Sequence, residues 1–143
     1  MPFIQTIVLT LLLVFFSVWM HYEFLYRWPQ IEKFIAKKHR GRILRLVLFL
    51  IVLHCIEILL FGFGFWCLDQ IEGAGHLSGQ NGFTPSDYIY FAAAAYTTVG
   101  FGDLYPIGGL RLLTGLVSLV GLILITWSAS YTFLEMQRYW NRE

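Results

Sequence analysis

Three apolar stretches, each about long enough to cross a bilayer, most restrict the folds open to this chain. Phe3 to Met20 carries no charge, and Ile43 to Leu68 is interrupted only by Arg45, His54 and Glu57. Leu110 to Leu134 has Arg111 at its start and Glu135 just past its end. As a helix the second would be roughly 39 Å long, against a hydrocarbon core of about 30 Å. With 57% hydrophobic residues, 13% charged residues and a mean hydropathy of +0.63, the chain is too apolar for a soluble domain. The first stretch has no basic start and no small-x-small cleavage site, so it is expected to be retained as a span rather than removed as a signal peptide. A net charge of +1, with no phosphate-cradling loop and no multi-cysteine metal motif, gives no sign of nucleic-acid binding. No nucleophile–base constellation or cofactor motif points to an enzyme.

Between the second and third spans lies a segment too short to cross. Asp69 to Phe83 is polar and contains Gly73, Gly75, Gly79 and Gly82, which reads as an exposed, flexible turret. Thr84-Pro85-Ser86-Asp87 then supplies an N-cap, a proline at the first helical position and an acidic side chain three residues after the cap. A helix over 85–97 follows, and its carboxyl end would point into the membrane, where the negative end of the helix dipole favours a cation. Irregular backbone beyond that point is tolerable at membrane depth only when packed in protein or lining a water-filled path.

Residues 95–106 read Ala-Tyr-Thr-Thr-Val-Gly-Phe-Gly-Asp-Leu-Tyr-Pro. The string Thr97-Thr98-Val99-Gly100-Phe101-Gly102-Asp103 resembles the selectivity filter of potassium channels, and Leu104-Tyr105-Pro106 resembles the loop that follows it in small bacterial members of that family. The resemblance implies an all-α integral membrane fold: three transmembrane helices, a re-entrant pore helix and a filter, assembled as a C4 homotetramer, since four filter strands are needed to ring an ion. A heteromeric tetramer stays open. The implied ion-binding residues are Thr98, Val99, Gly100 and Phe101, which would hold K⁺ through backbone carbonyls and the Thr98 hydroxyl, with no other cofactor. Thr97, Gly102 and Asp103 would support them. Gly100 and Gly102 suit this work because they reach positive φ without steric cost, while Val99 and Phe101 would point away from the axis.

The resemblance covers about residues 43–135, divided into an outer helix (43–68), turret (69–84), pore helix (85–97), filter (98–103) and inner helix (110–134). Residues 1–42 form a separate N-terminal helix and interfacial helix, and 136–143 a short tail. The filter departs from its commonest form. Phe101 lacks a tyrosine hydroxyl, Ala94 stands where some small bacterial channels carry a glutamate, and Phe91 lacks an indole donor. Asp103 must therefore face water or find Tyr90 or Arg111.

Gly121 lies ten residues after Arg111, the spacing from outer arginine to hinge glycine in the small bacterial channels. It is either a hinge or a packing glycine. Leu122, Ile125, Ala129, Ser130 and Phe133 share one helical face, with Phe133 a candidate constriction or a core side chain. Glu57, near the middle of the second span, is costly there and hence a candidate for gating or pH sensing, or for structural pairing with Thr10, Ser118 or His54. His54-x-x-Glu57 also has the residue types of two metal ligands, with no further Cys or His expected to join them. Cys55 and Cys67, roughly 18 Å apart along one helix, cannot bridge within the chain and are expected to be buried.

Arg27, Lys33, Lys37, Lys38, Arg40, Arg42 and Arg45 fall between or at the edges of the first two spans, and Arg138 and Arg142 follow the third. By the positive-inside rule the amino terminus and filter loop are outside, and the basic loop and carboxyl tail are cytoplasmic. Pro29 is expected to open a short interfacial helix with an apolar stripe of Trp28, Ile31, Phe34 and Ile35, resting on anionic lipid as an anchor or a slide helix. No helix carries arginines at every third position, so no voltage sensor is expected, and the tail is too short for a ligand-binding gate. The reading is a K⁺-selective channel subunit passing K⁺ passively across a cell membrane, by resemblance a bacterial inner membrane. A non-conducting scaffold or regulatory subunit, or a non-selective cation pore, is the alternative.

Overall fold

The computed structural model of the chain describes residues 2–35, 41–79 and 84–140. Its elements in order are α1 (Pro2–Ile35), α2 (Arg42–Asp69), β1 (Gly75–Gly79), α3 (Pro85–Tyr96), β2 (Leu104–Gly108) and α4 (Leu110–Trp140). Three of the helices are long and apolar enough to span a membrane. The short α3 packs between α2 and α4, and α1 lies against both of those long helices.

α1 buries Thr6, Thr10, Leu13, Ser17, His21, Leu25, Trp28 and Glu32, a stripe that recurs every three or four residues. Its remaining face, including Phe3, Leu11, Phe15 and Trp19, is exposed and equally apolar. A helix apolar on both faces is suited to lipid on one side and protein on the other, and the small hydroxyl residues mark the protein side, where helices approach closely. Gly64 of α2 answers them: a Cβ there would collide with the Leu13 side chain.

The core divides into two apolar clusters. The larger joins Phe61 and Phe65 of α2, Phe91 and Tyr96 of α3, and Leu113, Val117 and Leu124 of α4. Phe65 meets Phe91 edge to face, ring centroids 5.0 Å apart. The second joins Leu25 and Trp28 of α1 to Leu46, Leu50 and Leu53 of α2. Glycines set the close approaches. A Cβ on Gly62 would sit 3.2 Å from the Ile89 backbone, and one on Gly121 would fall on the Tyr96 carbonyl.

Several expectations are corrected. Pro29 does not open a separate helix but lies inside α1, which is continuous from Pro2 to Ile35. Proline there forfeits one backbone hydrogen bond. Trp28, fully buried on α2, and the ion pair between Glu32 and Arg45 hold the helix through it. Phe34 is 94% exposed and so falls outside the packed part of the expected stripe. Lys37, Lys38, Arg40 and Arg142 lie outside the described residues. α4 runs to Trp140 rather than stopping at 134, with Glu135 bonded to Arg42 of α2 at 2.5 Å and to Arg138 at 2.9 Å. Arg42 and Arg45, expected only as anchors at a membrane edge, thus tie α2 to α4 and to α1.

The turret is partly ordered. β1 pairs antiparallel with β2, from Gly75 opposite Gly108 to Gly79 opposite Leu104, and Ala74 and Leu77 are buried beneath it. Gly82 and Phe83 lie outside the described residues. The start of α1 reaches this same end of the bundle, where Pro2 neighbours Gly73 and Thr6 neighbours Gly109. The cysteines are free; Cys55 is exposed and Cys67 half-buried, so the expectation of two buried thiols fails. Position 55 is turned to the outside of the bundle, a face that lipid can cover.

The tight crossing at Gly121 gives a direct check. Gly121→Ala should lower stability by about 1–3 kcal/mol through overpacking against the Tyr96 backbone, read as a fall in the thermal midpoint of the detergent-solubilised protein. An unchanged midpoint would show that the α3–α4 crossing can open freely.

Candidate functional site

The site begins at the start of α3. Thr84 is extended, with φ −121° and ψ 156°, and its amide donates to the Asp87 carboxylate at 2.6 Å, while Pro85 opens the helix. At the other end, the Thr97 amide and hydroxyl both donate to the Ala93 carbonyl, at 3.0 and 2.8 Å. The Thr98 amide donates to Ala95 and the Gly100 amide to Ala94, at 3.0 and 3.2 Å. These bonds pin the chain beneath the helix end just where the regular helix stops.

Beyond that point the backbone alternates. Thr98, Gly100 and Gly102 have φ of 60°, 51° and 82°, while Val99 and Phe101 between them do not enter the left-handed region. A regular strand sends successive carbonyls to opposite sides; alternation of handedness permits them to share one side. Glycine takes these angles freely, but β-branched Thr98 does so at a cost of about 1–3 kcal/mol. Residues 97–103 are all exposed in the single chain, and a Cβ on Gly100 or Gly102 would have nothing within 4 Å. Val99 is 56% and Phe101 70% exposed, so the chain itself does not bury the side chains expected to wedge the filter.

Tyr90 compensates for two of the departures noted in the sequence. Its ring stacks on Phe101, centroids 6.1 Å apart and planes 8° from parallel, and its hydroxyl donates to the Asp103 carboxylate at 2.9 Å. Of the two donors expected for Asp103, Tyr90 makes this bond. Ala94 is buried where a glutamate was the alternative, and Phe91 packs on Phe65 instead of offering a donor.

The second group of residues lies deeper. Glu57 is fully buried and meets side chains of α1, α2 and α3. Its carboxylate meets His21 Nδ1 of α1 and His54 Nδ1, each at 2.9 Å, and accepts a hydrogen bond from the Tyr96 hydroxyl. His54 Nδ1 is also 2.8 Å from that hydroxyl. Ser128 Oγ of α4 lies 3.0 Å from His54 Nε2 and 3.2 Å from His21 Nε2. Of the partners expected for Glu57, only His54 is present. Thr10 Oγ1 is buried without a hydrogen-bond partner, and Ser118 bonds the Thr114 carbonyl of its own helix. His21 and Tyr96 went unread. His21 sits in the buried stripe of α1 four residues from Ser17 and from Leu25, but spacing along one helix does not say which residue of another it will meet.

His21, His54 and Glu57 bring three metal-ligand residue types within 4.8 Å of one another, so the expectation that no third such residue lies near His54 and Glu57 is corrected. All four ring nitrogens are nevertheless turned to Glu57, Tyr96 or Ser128, and the group reads as a hydrogen-bonded ring. Elsewhere, Gly121 stands against the Tyr96 carbonyl, which supports packing at that position. Leu122, Ile125, Ala129, Ser130 and Phe133 are all exposed, so the rest of the chain leaves that face of α4 uncovered.

A family model described as an ion channel matches residues 53–138, more than half of the chain. The match takes in most of α2, all of α3 and residues 97–103, and α4 almost to its end, and leaves α1 outside. No curated protein and no solved structure matches the chain.

The Tyr90 clamp is testable by a double-mutant cycle. Tyr90→Phe keeps the stack on Phe101 but removes the bond to Asp103, and should cost about 0.5–1.5 kcal/mol. Asp103→Asn should cost much less in that background than in the wild type, as measured by thermal unfolding in detergent. Equal costs in both backgrounds would show that the two residues act independently.

Proposed function

This chain belongs to the ion-channel family, and from that premise we propose that it is one subunit of a homotetrameric, K⁺-selective pore that conducts passively. The family is one of channels rather than enzymes. The observation that carries the proposal is the exposed, alternating backbone of residues 98–102 at the end of α3. Backbone of this kind at membrane depth must be covered by protein or face water. Copies of the chain around a common axis do both: neighbours cover Val99 and Phe101, and the carbonyls turn inward onto a water-filled path.

In that arrangement the carbonyls of Thr98, Val99, Gly100 and Phe101, with the Thr98 hydroxyl, replace the hydration shell of K⁺. Tyr90 holds the outer end of the filter through Phe101 and Asp103, and Gly102 gives the turn between them. Thr97 anchors the inner end by its bonds to Ala93. The carboxyl end of α3 stops just before the filter, so its dipole favours a cation there. The uncovered face of α4 lines the path below, with Phe133 as its constriction. The excess of Lys and Arg around 27–45 and after 134 puts that end of the bundle in the cytoplasm, against anionic lipid, and the amino terminus with the filter mouth outside.

Purified protein in K⁺-loaded liposomes, with an external Na⁺ solution and a proton uncoupler, should drive proton uptake that Ba²⁺ blocks. Absence of flux would favour a non-conducting scaffold, and equal Na⁺ flux a non-selective cation pore. Gly100→Ala should cut K⁺ flux by roughly tenfold or more, because a side chain at its left-handed φ costs about 1–2 kcal/mol in every subunit. Flux retained at the wild-type level would exclude Gly100 from the ion path.

A further inference from the structure

The ring around Glu57 can be examined by counting protons. It has four edges: Glu57 to His21, His21 to Ser128, Ser128 to His54, and His54 back to Glu57, at 2.9, 3.2, 3.0 and 2.9 Å. Each edge needs one hydrogen. An ionised Glu57 supplies none, and each neutral imidazole and the Ser128 hydroxyl supply one apiece. The Tyr96 proton is already committed to Glu57. Four edges and three hydrogens leave one edge with two lone pairs opposed.

We propose that this ring is a binding site for one proton, and that through it α1 sets the position of Tyr96 and hence of the filter. The added proton completes the fourth edge and brings the ring to zero net charge, with an imidazolium facing Glu57 or a protonated Glu57 between neutral imidazoles. Neutrality matters because His21 and Glu57 are fully buried, where an uncompensated charge is costly. No other ionisable group among the described residues enters the ring. α1 contributes His21, α2 contributes His54 and Glu57, and α3 contributes Tyr96. From α4 come Ser128 and the Trp127 ring, 5.5 Å from His21, neither of which titrates.

The consequence for the filter follows from the position of Tyr96. It is the last residue of α3, directly before Thr97 and Thr98, its hydroxyl is held by Glu57 and its carbonyl lies against Gly121. Loss of the proton opposes two lone pairs at one edge and leaves a net negative charge, so the ring must spread at that edge, and Tyr96, bonded to Glu57, shifts with it. The sign is definite: the ring is complete at the lower pH and opens as pH rises. α1, which lies outside the matched channel segment, thereby has a task of its own. His21 is a positioning residue acting through Glu57 and Tyr96, not a group on the ion path.

The occupancy test does not depend on conduction. Protein in lipid, labelled with ¹⁵N-histidine and ¹³C-glutamate and carrying His39→Gln and His76→Gln, should show one added proton per chain near neutral pH, as an imidazolium or a protonated carboxyl. That signal should vanish at alkaline pH. Two neutral imidazoles beside an ionised Glu57 at neutral pH would overturn the proposal. The coupling arm rests on the K⁺-pore reading: single-channel open probability should fall several-fold from pH 6 to pH 9. His21→Gln and Ser128→Ala, which break different pairs of edges, should each flatten that dependence. Conduction with a pH profile unchanged in both variants would overturn the link to the filter. A silent wild type that still carries the proton would instead count against the pore.

Discussion

Backbone polar groups at membrane depth must be covered or hydrated, and this constraint organises the rest of the molecule. α3 ends at Tyr96, and the next residues leave the helical ladder for an alternating left-handed path. That path is held on one side only. Bonds from Thr97, Thr98 and Gly100 to the last turn of α3, and the Tyr90 clamp on Phe101 and Asp103, fix it from behind. Its other side is bare in a single chain, with residues 97–103 all exposed.

Holding α3 at a fixed depth and tilt is then the work of the long helices. Gly62 lets α2 approach Ile89 and Gly121 lets α4 approach Tyr96, so α3 is gripped through its backbone where side chains would hold it at a distance. The β1–β2 pair ties the segment before α3 to the segment that follows residues 97–103. At the far end, Glu32 with Arg45 and Glu135 with Arg42 link α1, α2 and α4. Between these two ends sits the ring of His21, His54, Glu57 and Ser128, with Tyr96 attached, where four helices share a polar contact. An additional helix joined to the channel segment by lipid-like contacts alone would slide and rotate easily; a buried ring fixes its register.

How much could be read beforehand varied with the range of the interaction. The start of α3 at Thr84-Pro85, the left-handed glycines 100 and 102 and the spans themselves depend on residues close in sequence, and those features were legible. Pro29 misled because its local preference for a helix start was outweighed by burial of Trp28 and Leu25 on α2. The turret misled because glycine-rich composition does not reveal a strand partner that lies after the filter. Cys55 misled because small apolar residues are as acceptable facing lipid as facing protein.

Glu57 shows the division most clearly. Its identity and depth in an apolar run already required a partner, since an unpaired carboxylate is not tolerated there. Which partners it took, His21 from 36 residues earlier and Tyr96 from 39 later, was settled only when four helices were brought side by side. By itself the sequence determined a membrane protein with a short capped helix between its last two spans, because periodicity, charge and turn chemistry are local; the string after that helix was legible only as a resemblance to a potassium-channel filter. The tertiary structure decided that α1 is one unbroken helix, that Tyr90 holds Phe101 and Asp103, and that a buried ring joins α1 to the end of α3. Those depend on which faces meet, and an apolar helix in lipid carries little amphipathic signal to say so.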